Sequence, residues 1–340
     1  RKRCENEVLG YTGKPDSYYN AIINWVKQRY DLIVTKEVIN FVPGIVPGIG
    51  MAMNCFTQKG DKVMIQPPVY HPFAWVTTRN ERTLVTNPLK WENGMYRMDL
   101  DTFREQIKGC KLFILCNPHN PGGVVWTEAE LRAIADICYD EKVLVFSDEI
   151  HADLTLPPHT HRPFATVSEK ARMNSVTFMS PSKAFNMPGL SASHALIFNE
   201  DLRKRFRIYM DAGELDMGHV FAFLSVEAAY SHGTEWLDQC LAYIQGNIDF
   251  VDDFLKNHAP KIKAIRPEAS YLVWLDCREL ELSQKDLNEF FVDKAHLALN
   301  DGEMFGKEGI GFMRLNVASP RCIIEKAMKQ LADAYQLYIK

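Results

Sequence analysis

Ser175-Val176-Thr177-Phe178-Met179-Ser180-Pro181-Ser182-Lys183 is the stretch on which the reading of this 340-residue chain turns. A short run rich in β-branched and apolar residues ends in small polar residues and a lysine, as a buried strand does on leaving a sheet. The same pattern recurs upstream. Lys62–Gln66 leads into Pro67-Pro68-Val69-Tyr70-His71-Pro72, Lys111–Cys116 into Asn117-Pro118-His119-Asn120-Pro121-Gly122-Gly123, and Val143–Ser147 into Asp148-Glu149-Ile150-His151. A further run, His194–Phe198, follows. Helical patterns lie between, and Thr127 with Glu130 forms a capping box for Thr127–Asp140. Nearly continuous apolar strands separated by helices predict an α/β fold with a mainly parallel sheet covered on both faces. Ligands of such sheets bind at the carboxyl ends of the strands.

Outside this region, Asp16 is expected to cap a helix whose apolar side carries Tyr18, Ile22, Trp25 and Val26. Gly48–Thr57 reads as a second helix. The last third changes character. Helical patterns around Asp216–Tyr230 and Glu235–Asn257 precede a strand at Tyr271–Leu275, a helix near Gln284–Asp293, a strand at Phe312–Asn316 and a final helix after Pro320. This predicts a large domain over residues 1–235 and a smaller α+β C-terminal domain over 236–340. Hydrophobic residues make up 46% and charged residues 24%, as in ordinary globular proteins. A net charge of −4 leaves no footprint for nucleic acid. No apolar run approaches the ~18 residues that cross a bilayer, and the first residues lack the apolar core of a secretion signal. A cytoplasmic location is expected. The eight cysteines form no CxxC pair and read as reduced, mostly buried thiols.

The four strand ends would deliver an aromatic (Tyr70), an amide (Asn120), a carboxylate (Asp148) and an amine (Lys183) to one rim. Each has an ordinary explanation taken singly. Asp148 fits a helix cap, Asn120-Pro121-Gly122-Gly123 is turn chemistry, and Tyr70 fits a half-buried core aromatic. Lys183 is the most informative, because a lysine among small and apolar residues has its amine pKa lowered and becomes a nucleophile toward carbonyls. Other motifs fail. Ser180-Pro181-Ser182-Lys183 satisfies S-x-x-K, but no Lys-Thr-Gly exists and Ser147-Asp148-Glu149 is not Ser-Asp-Asn. Gly48-Ile49-Gly50 lacks the third glycine of a dinucleotide loop, Met53 standing there. His151, His159 and His161 do not form a metal motif such as HExxH, so no metal site is expected.

The chain resembles the fold-type I pyridoxal-phosphate (PLP) enzymes, and within them the MalY/PatB-type cystathionine β-lyase branch of the aminotransferase-like carbon–sulfur lyases. The matching segments are Gly10-Tyr11-Thr12, Pro15–Tyr19, Pro43–Pro47, Gln66–Tyr70, Asn117–Gly123, Ser147–His151, Ser180–Lys183 and Phe312–Asn316, in family order. The resemblance implies an aspartate-aminotransferase-like large PLP-binding domain with a small C-terminal domain, paired as a homodimer. It implies that Lys183 forms the Schiff base with pyridoxal 5′-phosphate and later moves the Cα proton. Asp148 would pair with the pyridine nitrogen, Asn120 with the 3′-oxygen, and Tyr70 would stack on the ring and relay a proton. His151 stands where many aminotransferases carry tyrosine and is placed at the cofactor. The phosphate would rest on the Ile45 and Val46 amides at a helix start, with Ser180 and Ser182 hydroxyls. Tyr11 would reach it across the dimer interface, and Arg314 would clamp the substrate carboxylate.

Two departures stand out. Ser191 occupies the position where many aminotransferases hold the phosphate with arginine, which shifts that task to backbone and hydroxyls. The family's amino-terminal segment, which helps close over the substrate, precedes the Tyr11 stretch and is not in this sequence. The implied reaction is β-elimination from an L-cysteine S-conjugate such as L-cystathionine, giving a thiol, pyruvate and ammonia. An aminotransferase would use the same Lys183, Asp148 and Asn120, and a non-catalytic PLP-binding regulatory module is the third reading.

Overall fold

The computed structural model describes residues 2–338. Its main sheet has seven strands: β1 (Ile39–Val42), β2 (Lys62–Ile65), β3 (Thr83–Thr86), β6 (Cys110–Cys116), β7 (Leu144–Asp148), β8 (Ser175–Met179) and β9 (Ser193–Leu196). A hairpin, β4 (Lys90–Glu92) and β5 (Met95–Arg97), lies outside it. The order is β1-β9-β8-β7-β6-β2-β3. Strands β3, β2, β6, β7 and β8 run parallel, whereas β9 and β1 pair antiparallel at one side. The expected mainly parallel sheet is therefore present, and the four strands carrying the polar ends are neighbours.

Burial explains the strands. Every residue of β7 and β8 is buried, because helices cover both faces. Ile45–Phe56 packs on one face, and Glu128–Asp140 on the other, where the Thr127–Glu130 capping box is complete. Two helix starts differ from expectation. Pro15, not Asp16, stands at the cap of Asp16–Tyr30, and the Asp16 carboxylate instead accepts a salt bridge from Lys36 (2.6 Å). The second helix begins at Ile45 rather than Gly48, since Pro47 is tolerated within the first turn, where its missing N–H costs nothing. The expected helix at Asp216–Tyr230 begins at Val220, where His219 Nδ1 accepts from the Ala222 N–H.

A second, antiparallel sheet has the order β10-β11-β13-β12, formed by β10 (Lys263–Ile265), β11 (Leu272–Asp276), β12 (Asn300–Asp301) and β13 (Phe312–Asn316). The final helix, Arg321–Tyr338, packs with the long helix Thr234–His258. We propose the division at residues 235/236, which falls in the first turn of that long helix. The two sheets meet closely. Gly123 has φ +68°, and a Cβ there would stand 2.4 Å from Pro267 Cβ, so only glycine fits. The Val69 N–H donates to Phe305 O (2.9 Å), and Glu268 Oε2 accepts from the Val125 N–H (2.8 Å).

Candidate active site

The parallel run of β2, β6, β7 and β8 puts their carboxyl ends on one edge, and a cavity of about 430 Å³ opens there. Tyr70, Asn120, Asp148, His151, Ser182 and Lys183 line it, together with Ile45, Val46 and Arg314. Nine of the eleven residues singled out in the sequence thus converge. Ser180 and Tyr11 do not. Ser180 is buried behind Ser182, its hydroxyl within bonding distance of Ala192 O (2.7 Å) and accepting from the Ser182 N–H (3.1 Å), so it braces the turn instead of facing the cavity. Tyr11 is 97% exposed and sits by the Met217–Phe221 segment, outside the cavity.

Each side chain is placed by its element. The β6–β7 ladder continues past the strand end through Asn117 N–H to Asp148 O (2.9 Å), and that of β7–β8 through Glu149 N–H to Phe178 O (2.9 Å). Asp148 therefore sits at a rigid position, its Oδ1 accepting from the Ile150 N–H (3.1 Å). On β13, alternation sends Met313 and Leu315 into the core and Arg314 and Asn316 to the cavity. The Arg314 guanidinium donates to Asn120 Oδ1 (2.9 Å) and Asn300 Oδ1 (2.7 Å) and lies 4.7 Å from the Phe305 ring centroid. These partners hold it without neutralising it. With Asn120 Oδ1 engaged, its amide N–H₂ is the group left to donate to an oxygen.

The charges are poised. Burial lifts the Asp148 carboxyl to about 7, with Glu149 adding to the rise and the Ile150 N–H and Lys183 opposing it. Burial and Arg314 lower the Lys183 amine, while Asp148 opposes them. Burial takes Arg314 down to about 10, and burial, Lys183 and Arg314 take His151 down to about 3, leaving a neutral imidazole. Burial and Asp148 raise the Tyr70 hydroxyl. Among the described residues neither Asp148 nor Arg314 makes a salt bridge. Behind Asp148 the buried Glu149 accepts from Ser147 Oγ (2.8 Å) and the Phe164 N–H (2.8 Å) and lies 2.8 Å from His161 Nε2, which keeps it out of the cavity.

These residues fit pyridoxal 5′-phosphate on several grounds. The helix Ile45–Phe56 starts without a side-chain cap, so its first N–H groups can receive a phosphate. Gly44 before it has φ +148° and ψ 160°, a conformation essentially confined to glycine. Ser182, Ser191 and Ser193 line the same cavity, and of these Ser191 stands where the resemblance would place an arginine. Among the described residues Asp148 makes no salt bridge, and Arg314 Nε and His151 Nδ1 are buried without a hydrogen-bond partner. Among the described residues no group of three His, Cys, Asp or Glu could hold a metal, and no helix is long and apolar enough to cross a membrane.

Sequence reasoning assigned no role to His71, Tyr271 or Asn316, which also line the cavity. Tyr271 and Asn316 had a usable signal. They are terminal residues of predicted strands, one of which carries Arg314, and antiparallel pairing sets Leu272 opposite Asn316.

A mainly parallel sheet that presents a lysine and a carboxylate beside a phosphate-ready helix start, with an arginine facing them from the second sheet, defines a fold-type I, pyridoxal-phosphate-dependent enzyme. The chain belongs to the aminotransferase class I and II family, whose model matches residues 5–331. It is 37% identical to cystathionine beta-lyase PatB of Bacillus subtilis (strain 168) over 98% of this chain and 87% of that protein. Its fold superposes with TM-score 0.96 on cystalysin from Treponema denticola, which contains pyridoxal 5′-phosphate, at 35% identity over 100% of this chain and 86% of the other. It matches equally well, at TM-score 0.96 and 40% identity over 98% and 87% of the two chains, a PLP-bound protein of Clostridium difficile 630 provisionally assigned as an aminotransferase.

Proposed function

We propose that the protein is a carbon–sulfur lyase that eliminates the thiol from L-cysteine S-conjugates such as L-cystathionine, releasing pyruvate and ammonia. The observation that carries the reading is the single cavity into which Lys183, Asp148 and Arg314 project without salt bridges among the described residues. Similarity to PatB and cystalysin supports elimination over other outcomes of the same site.

When bound, pyridoxal 5′-phosphate supplies an electron sink that makes the Cα proton of an amino acid removable. The chain's residues do the rest. Arg314 binds the substrate carboxylate through two donors, and Phe305 and Asn120 keep its plane fixed. Lys183, with its lowered pKa, has a neutral fraction able to take the Cα proton. Asp148 holds the proton on the cofactor's ring nitrogen, and that cation in turn favours the ionised carboxylate. Asn120 donates to the ring's oxygen. The raised Tyr70 hydroxyl stays protonated at neutral pH and can donate toward the departing sulfur. The Ile45 and Val46 N–H groups, with Ser182, hold the phosphate. His151 stands at the cofactor as a neutral acceptor. We further propose that Tyr11 acts from a partner subunit of a homodimer, since its own chain leaves it exposed.

Purified holoenzyme is incubated with L-cystathionine and no keto acid. Stoichiometric pyruvate and thiol are expected, with loss of turnover in Lys183→Ala. Product that forms only when a keto acid is added establishes an aminotransferase instead, the reading that the Clostridium difficile relative favours.

A further inference from the structure

A second cavity, of about 320 Å³, shares Lys183, Tyr271 and Asn316 with the first. The amine proposed to act at Cα therefore stands on the partition between two chambers. The long helix supplies one wall through Trp236, Cys240, Tyr243 and Ile244, whose spacing sets them on one face. The segment after β13 supplies Ala318 and Pro320 opposite. The aromatic wall is braced: Phe185 stacks on Trp236 at 5.8 Å, and the Tyr243 hydroxyl accepts from the Arg321 N–H (2.6 Å). Among the residues that line this chamber, only Lys183 carries a charge.

We propose that this side chamber receives the part of the substrate beyond Cβ and selects uncharged apolar or aromatic groups there. On the lyase reading, which this inference rests on and deepens, that part is the substituent carried by sulfur. On this proposal the cofactor and the amino-acid backbone, with its carboxylate on Arg314, occupy the first cavity, and the substituent enters the chamber that shares Lys183, Tyr271 and Asn316 with it. An alkyl or aryl group there exchanges water for Trp236, Tyr243 and Ile244, a favourable transfer. The distal ammonium and carboxylate of cystathionine would lose water without finding paired partners.

The test compares kcat/KM of the holoenzyme for S-benzyl-L-cysteine, S-methyl-L-cysteine and L-cystathionine. S-benzyl-L-cysteine is expected to exceed both by roughly tenfold or more, the scale on which an apolar pocket discriminates. Cys240→Trp and Ala318→Trp narrow the chamber from opposite walls. Each is expected to lower the benzyl-to-methyl ratio about fivefold or more, a comparison internal to one sample and so insensitive to partial misfolding. Calorimetry adds a readout independent of elimination. L-Homophenylalanine, with CH₂ in place of the sulfur of S-phenyl-L-cysteine, should bind roughly tenfold tighter than L-2-aminobutyrate, and both variants should erase the difference. A ratio that neither variant moves, cystathionine as the preferred substrate, or equal binding of the two analogues overturns the proposal. If no S-conjugate yields pyruvate without a keto acid, yet homophenylalanine keeps its variant-sensitive advantage, the lyase reading falls and the chamber stands as a side-chain pocket.

Discussion

Replacing Asp148 by asparagine should strengthen the cofactor-free protein and weaken the loaded one. The unfolded chain releases the Asp148 proton near 3.8, whereas burial delays release in the folded apoprotein to about 7. Folding therefore loses stability as pH rises between these values and carries the full penalty above the upper one. At about 1.4 kcal/mol per pH unit, the penalty reaches roughly 4 kcal/mol at alkaline pH. Asparagine keeps an oxygen for the Ile150 N–H and has no charge to desolvate. Urea unfolding of wild-type and Asp148→Asn apoprotein at pH 4, 6 and 8.5 measures the difference. The variant should be the more stable by several kcal/mol at pH 8.5 and about equal to wild type near pH 4. In the holoenzyme the sign should reverse, because the ring-nitrogen cation then compensates the carboxylate. An apoprotein variant no more stable than wild type at pH 8.5 would refute the claim that this carboxylate is held uncompensated for a cation to be supplied by the cofactor.

Arg314→Lys substitutes one point charge for a two-pronged donor, so KM for the amino-acid substrate should rise by roughly tenfold or more, read from steady-state pyruvate release. Gly44→Ala forces a side chain into backbone that essentially only glycine adopts. Unfolding free energy should fall by about 1–3 kcal/mol, and fluorescence titration should show weaker cofactor binding because the helix start shifts.

Much of the fold could be read from local pattern because its central strands are short, apolar and fully covered. β8 and β13 match their predicted limits, and the Thr127–Glu130 box marked its helix start, since a reciprocal side-chain bond leaves a recognisable pair of residues. Two edge strands, β3 and β12, escaped for the converse reason. β3 has no fully buried residue, and β12 is two residues long, so neither shows a period. At the site, residues following the central strands were recoverable because a parallel sheet sends them to one edge. Ser182 lines the cavity and Ser180 does not, a difference that sequence cannot show for hydroxyls two residues apart, because it depends on the bonds Ser180 makes with Ala192 O and Ser182. His71 was passed over because its place at the cavity depends on how the second sheet's segments, such as Phe305, dock against it. That docking rests on contacts such as Gly123 against Pro267, far apart in the chain.

The partition at Lys183 divides labour between separate parts of the chain. Bond-making groups belong to the main sheet's edge and β13, whereas the side chamber's aromatic wall belongs to a helix that carries none of them. Changes along Thr234–His258 can thus alter the menu of accepted molecules while the reactive apparatus is inherited intact, giving lineages a route to new diets without reinventing their chemistry.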